Sequence, residues 1–201
     1  HRPRTIYRHE IGTPVKNDKL IFEEKSEAFT VGIGLSSDEK YFIISSSDHN
    51  TTEQYFFKVD ETIPNPKLIQ KRQRGIIYSV NSWDNNFYKH TNENAEDFKI
   101  DRCNDLVDKK WEPFIKAKDE VLIGGLVFLN NWIIRSETSN ALGKIILRDP
   151  KSNKEEEITF SNEKVIVPSI SLIQKDKNTD KVYLSYSSPK TPVSYTHLTL
   201  P

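Results

Sequence analysis

The stretch FTVGIGLSSDEKYFIISSS, Phe29–Ser47, has the pattern of two β-strands joined by a polar turn. An apolar run precedes the turn residues SSDEK, and a second run, rich in aromatic and β-branched residues, follows them. Runs of this kind on both sides of a Ser/Asp-rich turn predict a β-hairpin. The fold depends on whether this hairpin is isolated or repeated along the chain.

Three further stretches have the same design, and Asn or Asp residues form their turns. These side chains suit turns because they tolerate left-handed backbone and hydrogen-bond to their own main chain. First strands begin near Phe29, Gly75, Val121 and Val165, so the repeat is about 44 to 46 residues long. The three stretches are Gly75–Asn92 (turn Asp84-Asn85-Asn86), Val121–Thr138 (turn Asn130-Asn131) and Val165–Ser188 (a longer charged turn).

Each of the first three hairpins is followed by a third strand and by a weaker, more polar fourth strand. Four strands in a period of this length are the signature of a β-propeller blade. The sequence therefore predicts an all-β fold, a partial β-propeller of about three to four blades with four antiparallel strands each. A generic β-sandwich is the alternative, but it would not keep four-strand units in a fixed apolar-to-polar order. The third strands are Thr52–Asp60, Glu96–Cys103 and Leu142–Pro150, and the fourth are Pro66–Arg72, a region around Trp111–Ile115, and Lys154–Phe160.

The order of apolar and polar strands predicts their positions within a blade. First and second strands are the most apolar, so we expect them near a central channel and covered on both faces, with the charged fourth strand at the outer edge. Tyr7–Lys25 is predicted to supply outer strands of a preceding blade, and a weak helical pattern covers Asp105–Ile115. An open blade face that leaves about 500 Å² of apolar surface uncovered loses roughly 12 kcal/mol, so we expect the chain not to fold cleanly alone.

The amino-acid composition limits which binding partners and which cellular compartment are expected. The chain has 29 basic and 29 acidic residues, which gives no electrostatic reason to expect nucleic acid or an anionic membrane as a partner. No apolar run has the length of a transmembrane helix or the form of a signal peptide. The single cysteine, Cys103, is compatible with a reducing compartment, so a cytoplasmic location is expected.

The two ends of the sequence predict that the chain is part of a longer protein and that its last residues are not native. The sequence has no Met and begins with HRPR, which indicates an internal part of a longer protein. The propeller domain is predicted over residues 1–192. The last residues, VSYTHLTLP (Val193–Pro201), resemble the translated read-through of a transposase-type sequencing adapter, so 193–201 is predicted to be a non-native tail. The alternative is a short native β-segment of unusual composition.

Several sequence segments resemble the propeller of oligopeptidase B, the basic-residue-specific branch of the prolyl oligopeptidase family of serine peptidases. The words His9-x-x-Gly12-Thr13 and Glu23-Glu24 are fairly specific together. Two words depart from the family pattern: Lys116-Ala117-Lys118 stands where the family usually has Pro-His-Arg, and Thr138 stands where it tends to have Arg. The similar stretches are Arg4–Thr13, Asp18–Ser36, Lys40–Glu53, Arg74–Val80, Phe87–Ile100 and Tyr183–Pro192.

The resemblance implies a two-part enzyme. An α/β-hydrolase domain would carry the catalytic Ser, Asp and His, and the propeller would cap it, admit short peptides and exclude folded proteins. Cleavage would follow Arg or Lys, with no metal and no organic cofactor. The partners implied are short peptide substrates and the hydrolase domain of the same polypeptide, with no nucleic acid and no membrane.

No catalytic, cofactor-binding or metal-binding residue is predicted in this chain. The G-x-S-x-G elbow of such hydrolases is absent, and Ser47-Asp48-His49 is expected to be a turn, because triad members converge from different elements. The Gly32–Gly34 pair is expected to relieve crowding in a strand rather than to bind phosphate. The remaining candidates have structural interpretations: Lys71–Arg74 as a solvated turn, Asp176, Asn178 and Asp180 as a hairpin tip rather than a calcium loop, Asn50-Thr51-Thr52 as a sequon without secretory context, Cys103 as an inert thiol, and His9 as a hydrogen-bonding partner within a blade.

Three functions remain open at this stage. The first is a gating propeller fragment of an oligopeptidase B-like serine endopeptidase. The others are a non-catalytic propeller scaffold for protein–protein binding and the propeller of a prolyl-specific oligopeptidase. For the first, the strands expected to face the channel are Val31–Leu35, Ile77–Asn81, Leu122–Val127 and Val167–Ser171.

Overall fold

The computed structural model describes residues 2–159, 167–171, 180–187 and 194–199. Of these, 167–171, 185–187 and 194–199 are described by their backbone only. The described elements are strands and one short 3₁₀ turn, Val15–Asn17. The strands are β1 (Thr5–Arg8), β2 (Lys19–Glu23), β3 (Thr30–Leu35), β4 (Tyr41–Ser47), β5 (Thr52–Lys58), β6 (Lys67–Gln70), β7 (Tyr78–Trp83), β8 (Asn86–Thr91), β9 (Lys99–Cys103), β10 (Glu112–Ile115), β11 (Leu122–Phe128), β12 (Ile133–Ser139), β13 (Leu142–Arg148), β14 (Glu155–Glu157), β15 (Val167–Ser171), β16 (Lys181–Ser187) and β17 (Ser194–Thr199).

The described strands form antiparallel sheets that follow chain order. The four-stranded sheets are β3-β4-β5-β6, β7-β8-β9-β10 and β11-β12-β13-β14, and β1-β2 and β15-β16-β17 form smaller sheets. Each predicted four-strand unit is thus one sheet, with its first strand at one edge and its fourth strand at the other. The predicted all-β fold, a partial propeller built of such blades, is confirmed.

Turn chemistry fixes the hairpins as the sequence predicts. Asp84 and Asn85 have φ values of 46° and 58° in the two-residue connection between Trp83 and Asn86, which are paired. Positive φ at both central residues is the geometry that matches the twist of the flanking strands. The long turn predicted before Asp180 lies outside the described residues.

In the first compact unit, the β3–β6 sheet packs against neighbours on both faces at β4. This unit comprises the residues up to Asn94 together with Ile100–Ile115. In β4, Ile43 packs in a cluster with residues of the β7–β10 sheet, whereas the next residue, Ile44, packs with residues of the β1–β2 sheet. Successive strand side chains point to opposite faces, so one run of apolar residues serves two cores.

The second compact unit has its own core. It comprises Ala95–Lys99 and the residues from Lys116 onward. Its described core joins the β11–β14 sheet to β16 and contains Leu129, Ile134, Ile145, Leu147, Val182 and Leu184.

The predicted fourth strand around Trp111–Ile115 is confirmed as β10, and the weak helical pattern before it corresponds to a turn. Two expectations about local structure are wrong. β3 is not covered on both faces: every residue of it except Val31 is exposed, although β7, the corresponding edge strand of the next sheet, has Tyr78, Val80 and Ser82 buried. Crowding does not explain Gly32 and Gly34, since a Cβ atom at either position would meet nothing within 4 Å.

The status of Val193–Pro201 stays a prediction. The backbone of β17, within this segment, pairs antiparallel with β16. Strand pairing of a β-prone segment does not distinguish native from non-native residues. Among the described residues, no helix is long and apolar enough to cross a lipid bilayer.

Candidate functional site: the β3 edge and the pocket at its beginning

The most exposed apolar strand of the first unit is β3. Ile33 is 43% exposed and Leu35 is 53% exposed, although both belong to a run that reads as core in the sequence. Gly32 and Gly34 alternate with them and leave the opposite face of the strand without side chains. An apolar strand with this exposure is a candidate surface for contact with another molecule.

An open pocket of about 530 Å³ lies at the beginning of this strand. Its walls come from both sides of the β3–β4 hairpin, where Thr30 pairs with Ser47. The guanidinium of Arg2 donates to the carbonyl oxygen of Ala28 at the rim. The lining residues are Arg2, Ala28, Thr30, Ser47, Asp48 and His49.

Ser47, Asp48 and His49 form a turn, as predicted, and not a catalytic triad. Asp48 Oδ1 accepts a hydrogen bond from the backbone N–H of Asn50 at 2.9 Å, and the Asp48 N–H donates to the Thr51 carbonyl at 3.1 Å. The hydrogen bond from the Asn50 amide contributes most to lowering the pKa of Asp48. The carboxylate therefore shapes the turn between β4 and β5 instead of orienting the exposed imidazole of His49.

A buried ion cluster involves Phe29 and Ser46, the sequence neighbours of the pocket residues Ala28, Thr30 and Ser47. Arg72 Nη2 contacts Glu24 Oε2 at 2.5 Å and Glu53 Oε1 at 3.0 Å, and both carboxylates are less than a tenth exposed. The Arg72 backbone N–H also donates to Glu53 Oε2 at 2.9 Å. The Ser46 hydroxyl donates to Glu24 Oε2 at 2.6 Å, and the Arg72 guanidinium lies 4.1 Å from the centre of the Phe29 ring.

The cluster keeps both carboxylates ionised. Burial alone would raise the pKa of Glu24, but hydrogen bonds from Ser46, from the Ser26 amide and from Arg72 lower it below its ordinary value. Glu53 behaves in the same way: burial opposes the shift, and hydrogen bonds from Tyr55 and Arg72 lower its pKa. Ionised carboxylates held by an arginine are poor general acids, so we assign the cluster a structural role.

This cluster corrects the sequence interpretation of Lys71–Arg74 as a solvated turn. The prediction is wrong for Arg72, whose half-buried side chain lies between β5 and the segment after β2 and contacts two buried carboxylates. The acidic motif Glu23-Glu24 and the basic segment Lys71–Arg74 are both visible in the sequence. Nothing local connects them, because 48 positions separate Arg72 from Glu24.

The second unit contains a comparable cluster around Arg135, which is 2% exposed. Arg135 contacts Glu137 Oε1 at 2.8 Å and Glu155 Oε2 at 2.7 Å. Lys118 Nζ lies 2.7 Å from Glu137 Oε1. Lys118, which belongs to the Lys116–Lys118 segment that departs from the family pattern, therefore forms an ion pair. Hydrogen bonds from Arg135 lower the pKa of Glu155 to about 2, with a further contribution from Arg148.

The remaining candidates have structural roles in the described chain. Cys103 is buried, and burial raises the pKa of its thiol to about 11. His9 Nδ1 lies 2.6 Å from Asp18 Oδ1, which confirms the predicted hydrogen bond within the β1–β2 unit. Asp180 accepts from the Asn131 backbone N–H at 2.8 Å, while Asp176 and Asn178 lie outside the described residues. Within the described ranges, no group of three His, Cys, Asp or Glu side chains could hold a metal ion.

Comparison with known proteins identifies what the sheets belong to. The family model described as the prolyl oligopeptidase N-terminal β-propeller domain matches residues 1–200. Protease 2 of Moraxella lacunata is 28% identical over 194 residues, which are 95% of this chain and 27% of that protein. Dipeptidyl aminopeptidase BI of Pseudoxanthomonas mexicana is 26% identical over 95% of this chain and 26% of its own length. The chain thus spans about a quarter of the length of these relatives.

Solved structures show the same fold. Oligopeptidase B from Trypanosoma brucei, with covalently bound antipain in a closed form, has a TM-score of 0.89 at 21% identity, over 98% of this chain and 29% of that one. Oligopeptidase B from Leishmania major has a TM-score of 0.84 at 16% identity, over 98% of this chain and 29% of that one. The resemblance to the oligopeptidase B propeller is confirmed. The chain belongs to the family of N-terminal β-propeller domains of prolyl oligopeptidases.

Proposed function

We propose that this chain is the substrate-selecting propeller of a serine oligopeptidase that cleaves short peptides after Arg or Lys. The observation that supports it most is the family match over residues 1–200. Protease 2 and the oligopeptidase B structures, which resemble the chain over most of its length, favour the branch specific for basic residues. The catalytic Ser, Asp and His would belong to a hydrolase domain of the same cytoplasmic polypeptide.

Substrate selection by size would use the exposed first strands. β3 presents Ile33 and Leu35 at a sheet edge, as a strand lining a passage for peptides would. A passage lined by such strands would admit an extended peptide and exclude a folded protein because of the passage width alone. The charge clusters around Arg72 and Arg135 would keep the blades rigid enough to maintain that width.

The first test is hydrolysis by the complete polypeptide. We expect fluorogenic peptides with Arg or Lys before the cleaved bond to be hydrolysed at least ten times faster than the matched Pro peptide. Faster cleavage after Pro would support the prolyl-specific alternative. Absence of any hydrolysis, and of labelling by a serine-reactive fluorophosphonate, would support the non-catalytic scaffold.

The second test addresses selection by size with two matched cysteine variants. Ile33→Cys on β3 and Leu68→Cys on β6 place an exposed thiol at opposite edges of one sheet, and the buried Cys103 does not compete for reagent. A bulky maleimide at position 33 is expected to slow cleavage of a 25-residue peptide more than that of an 8-residue peptide. The same adduct at position 68 is expected to change neither. Equal effects of the two adducts on both peptides would refute selection at β3.

A further inference from the structure

The outer edge of β3 has backbone hydrogen-bonding groups that the described chain does not use. The Val31 N–H points away from β4, because it donates to the Pro3 carbonyl at 2.8 Å. In an antiparallel pair, alternate residues direct both their N–H and C=O groups to the same side. Ile33 and Leu35 therefore direct theirs to the same free edge as Val31, and among the described residues neither has a backbone partner there.

The corresponding edge of β7 shows what a closed edge looks like. The Val80 N–H donates to Gln54 Oε1 at 2.7 Å, and the Ser82 carbonyl accepts from the Asp38 N–H at 3.2 Å. The Ser82 N–H donates to Asn81 Oδ1 at 2.8 Å. A side chain and a turn of the neighbouring sheet, together with Asn81 of β7 itself, thus satisfy this edge of β7, whereas among the described residues the edge of β3 has a partner only at Val31.

The side chains of β3 leave room for another strand beside it. At Gly32 and Gly34 even an added Cβ atom would meet nothing within 4 Å, so one face beside the edge is clear. On the other face, Ile33 and Leu35 offer exposed apolar surface to the side chains of an incoming strand. A paired strand would lie about 4.8 Å from β3 in the plane of the sheet, with its side chains above and below these two faces.

We propose that the free edge of β3 binds a short peptide in extended conformation, through backbone hydrogen bonds to Ile33 and Leu35. The segment at Pro3 already occupies this edge at Val31, so a peptide would continue the same line of hydrogen bonds. The vacant edge covers the Ile33–Leu35 segment, about 7 Å at the rise of a strand. That length suits a peptide and is too short to hold two folded copies of the chain together.

Recognition through the backbone tolerates many peptide sequences, because the hydrogen bonds do not depend on side chains. The inference rests on the proposed function in one respect: a strand that lines a passage to a peptidase would meet peptides. The peptide would be held in an extended conformation, the form in which it could pass through a narrow passage.

The experiment compares two substitutions at one position in the complete polypeptide, with the reactive serine blocked by phenylmethanesulfonyl fluoride. The probe is a fluorescein-labelled, amidated octapeptide of alternating Lys and Val, and its binding is measured by fluorescence anisotropy. Ile33→Pro removes the N–H at the free edge without removing a hydrogen bond to β4, and Ile33→Ala shortens the side chain but keeps that N–H. We expect about a tenfold loss of affinity for Ile33→Pro and less than a threefold loss for Ile33→Ala.

A scan of the peptide itself keeps the inference testable if Ile33→Pro does not fold. Each residue of the octapeptide is N-methylated in turn, and binding to the unsubstituted protein is measured. Strand pairing uses alternate N–H groups, so we expect losses at every second position over the paired segment. Losses without alternation, or equal affinity of Ile33→Pro and Ile33→Ala, would overturn the inference.

Two outcomes separate this inference from its rivals. If Ile33→Pro abolishes a dimer in size-exclusion chromatography and leaves peptide binding unchanged, the edge binds a second copy and the inference is wrong. Hydrolysis of Arg and Lys peptides by the unsubstituted polypeptide tests the proposed function alone. Alternating losses on N-methylation without any hydrolysis would keep the binding edge and reject the peptidase.

Discussion

Arg72 Nη2 lies 2.5 Å from Glu24 Oε2, although 48 positions separate the two residues. The same guanidinium contacts Glu53 on β5, so a single cation joins the segment after β2 to the β3–β6 sheet. Phe29 beneath it and Ser46 beside it are neighbours of the pocket residues Ala28, Thr30 and Ser47. The ion cluster therefore lies next to the pocket along the chain and ties the segment after β2 to the sheet that carries it.

Replacing Arg72 is expected to destabilise the fold strongly. Arg72→Ala leaves Glu24 and Glu53 buried without a cation, which costs about 3 kcal/mol of unfolding free energy. The measurement is urea unfolding followed by tryptophan fluorescence. Arg74→Ala, at an exposed position of the same loop, is the control and is expected to change stability by less than about 0.5 kcal/mol. Equal stability of the two variants would show that the cluster contributes nothing.

The charge cluster in the second unit predicts a pH dependence. Glu155 has a folded-state pKa of about 2, below the ordinary 4.5, because Arg135 and Arg148 bind its ionised form. A depressed pKa contributes stability that is complete above about pH 4.5 and is lost as the pH falls toward 2. The stability difference between the unsubstituted protein and Glu155→Gln should therefore shrink between pH 5 and pH 2.

The control for this pH series is Glu156→Gln on the same strand, β14. Glu156 lies next to Glu155, so the substitution matches the change in charge. Its stability difference from the unsubstituted protein should stay nearly constant over the same range. A Glu155→Gln difference that stays equally constant would contradict the assigned ion pairs.

Two adjacent glycines of β11 give a matched steric test. A Cβ atom at Gly124 would lie 2.2 Å from Ser136 Oγ and 2.9 Å from the Ser136 carbonyl oxygen, whereas one at Gly125 would meet nothing within 4 Å. Gly124→Ala is expected to cost about 2 kcal/mol, since the backbone oxygen cannot rotate away. Gly125→Ala should lie within about 0.5 kcal/mol of the unsubstituted protein. Similar melting temperatures for both variants would contradict this close approach of β11 and β12.

The thiol of Cys103 should be unreactive in the folded protein. Burial raises its pKa to about 11, so only about 0.1% is thiolate at pH 8, and the buried sulfur is inaccessible to reagent. Labelling of this position by Ellman's reagent should be slow in buffer and complete within minutes in 6 M urea. Peptide mapping distinguishes Cys103 from any other thiol. Rapid labelling in buffer would place the residue outside the core.

The strand order was readable from the sequence because it depends on local patterns. Alternating apolar residues and Asn/Asp turns repeat with one period, and each hairpin forms where these signals occur, as at Asp84-Asn85. The local signals were weakest in Asp105–Ile115. The pattern there has some helical spacing, but Leu106 and Ile115 are buried in a turn and in the predicted fourth strand.

The sequence by itself determined the antiparallel sheets and the family, because both can be recognised from short-range patterns and sequence motifs. Only the tertiary structure decided which charges meet and which strand stays open. Arg72 and Glu24 meet through the packing of separate sheets, and no spacing along the chain encodes that contact. Likewise, Ile33 has the pattern of a core residue, yet it is exposed, whereas Val80 on the corresponding edge strand β7 is buried. Whether a sheet edge is covered depends on the packing of neighbouring segments and not on the hydrophobicity of the strand.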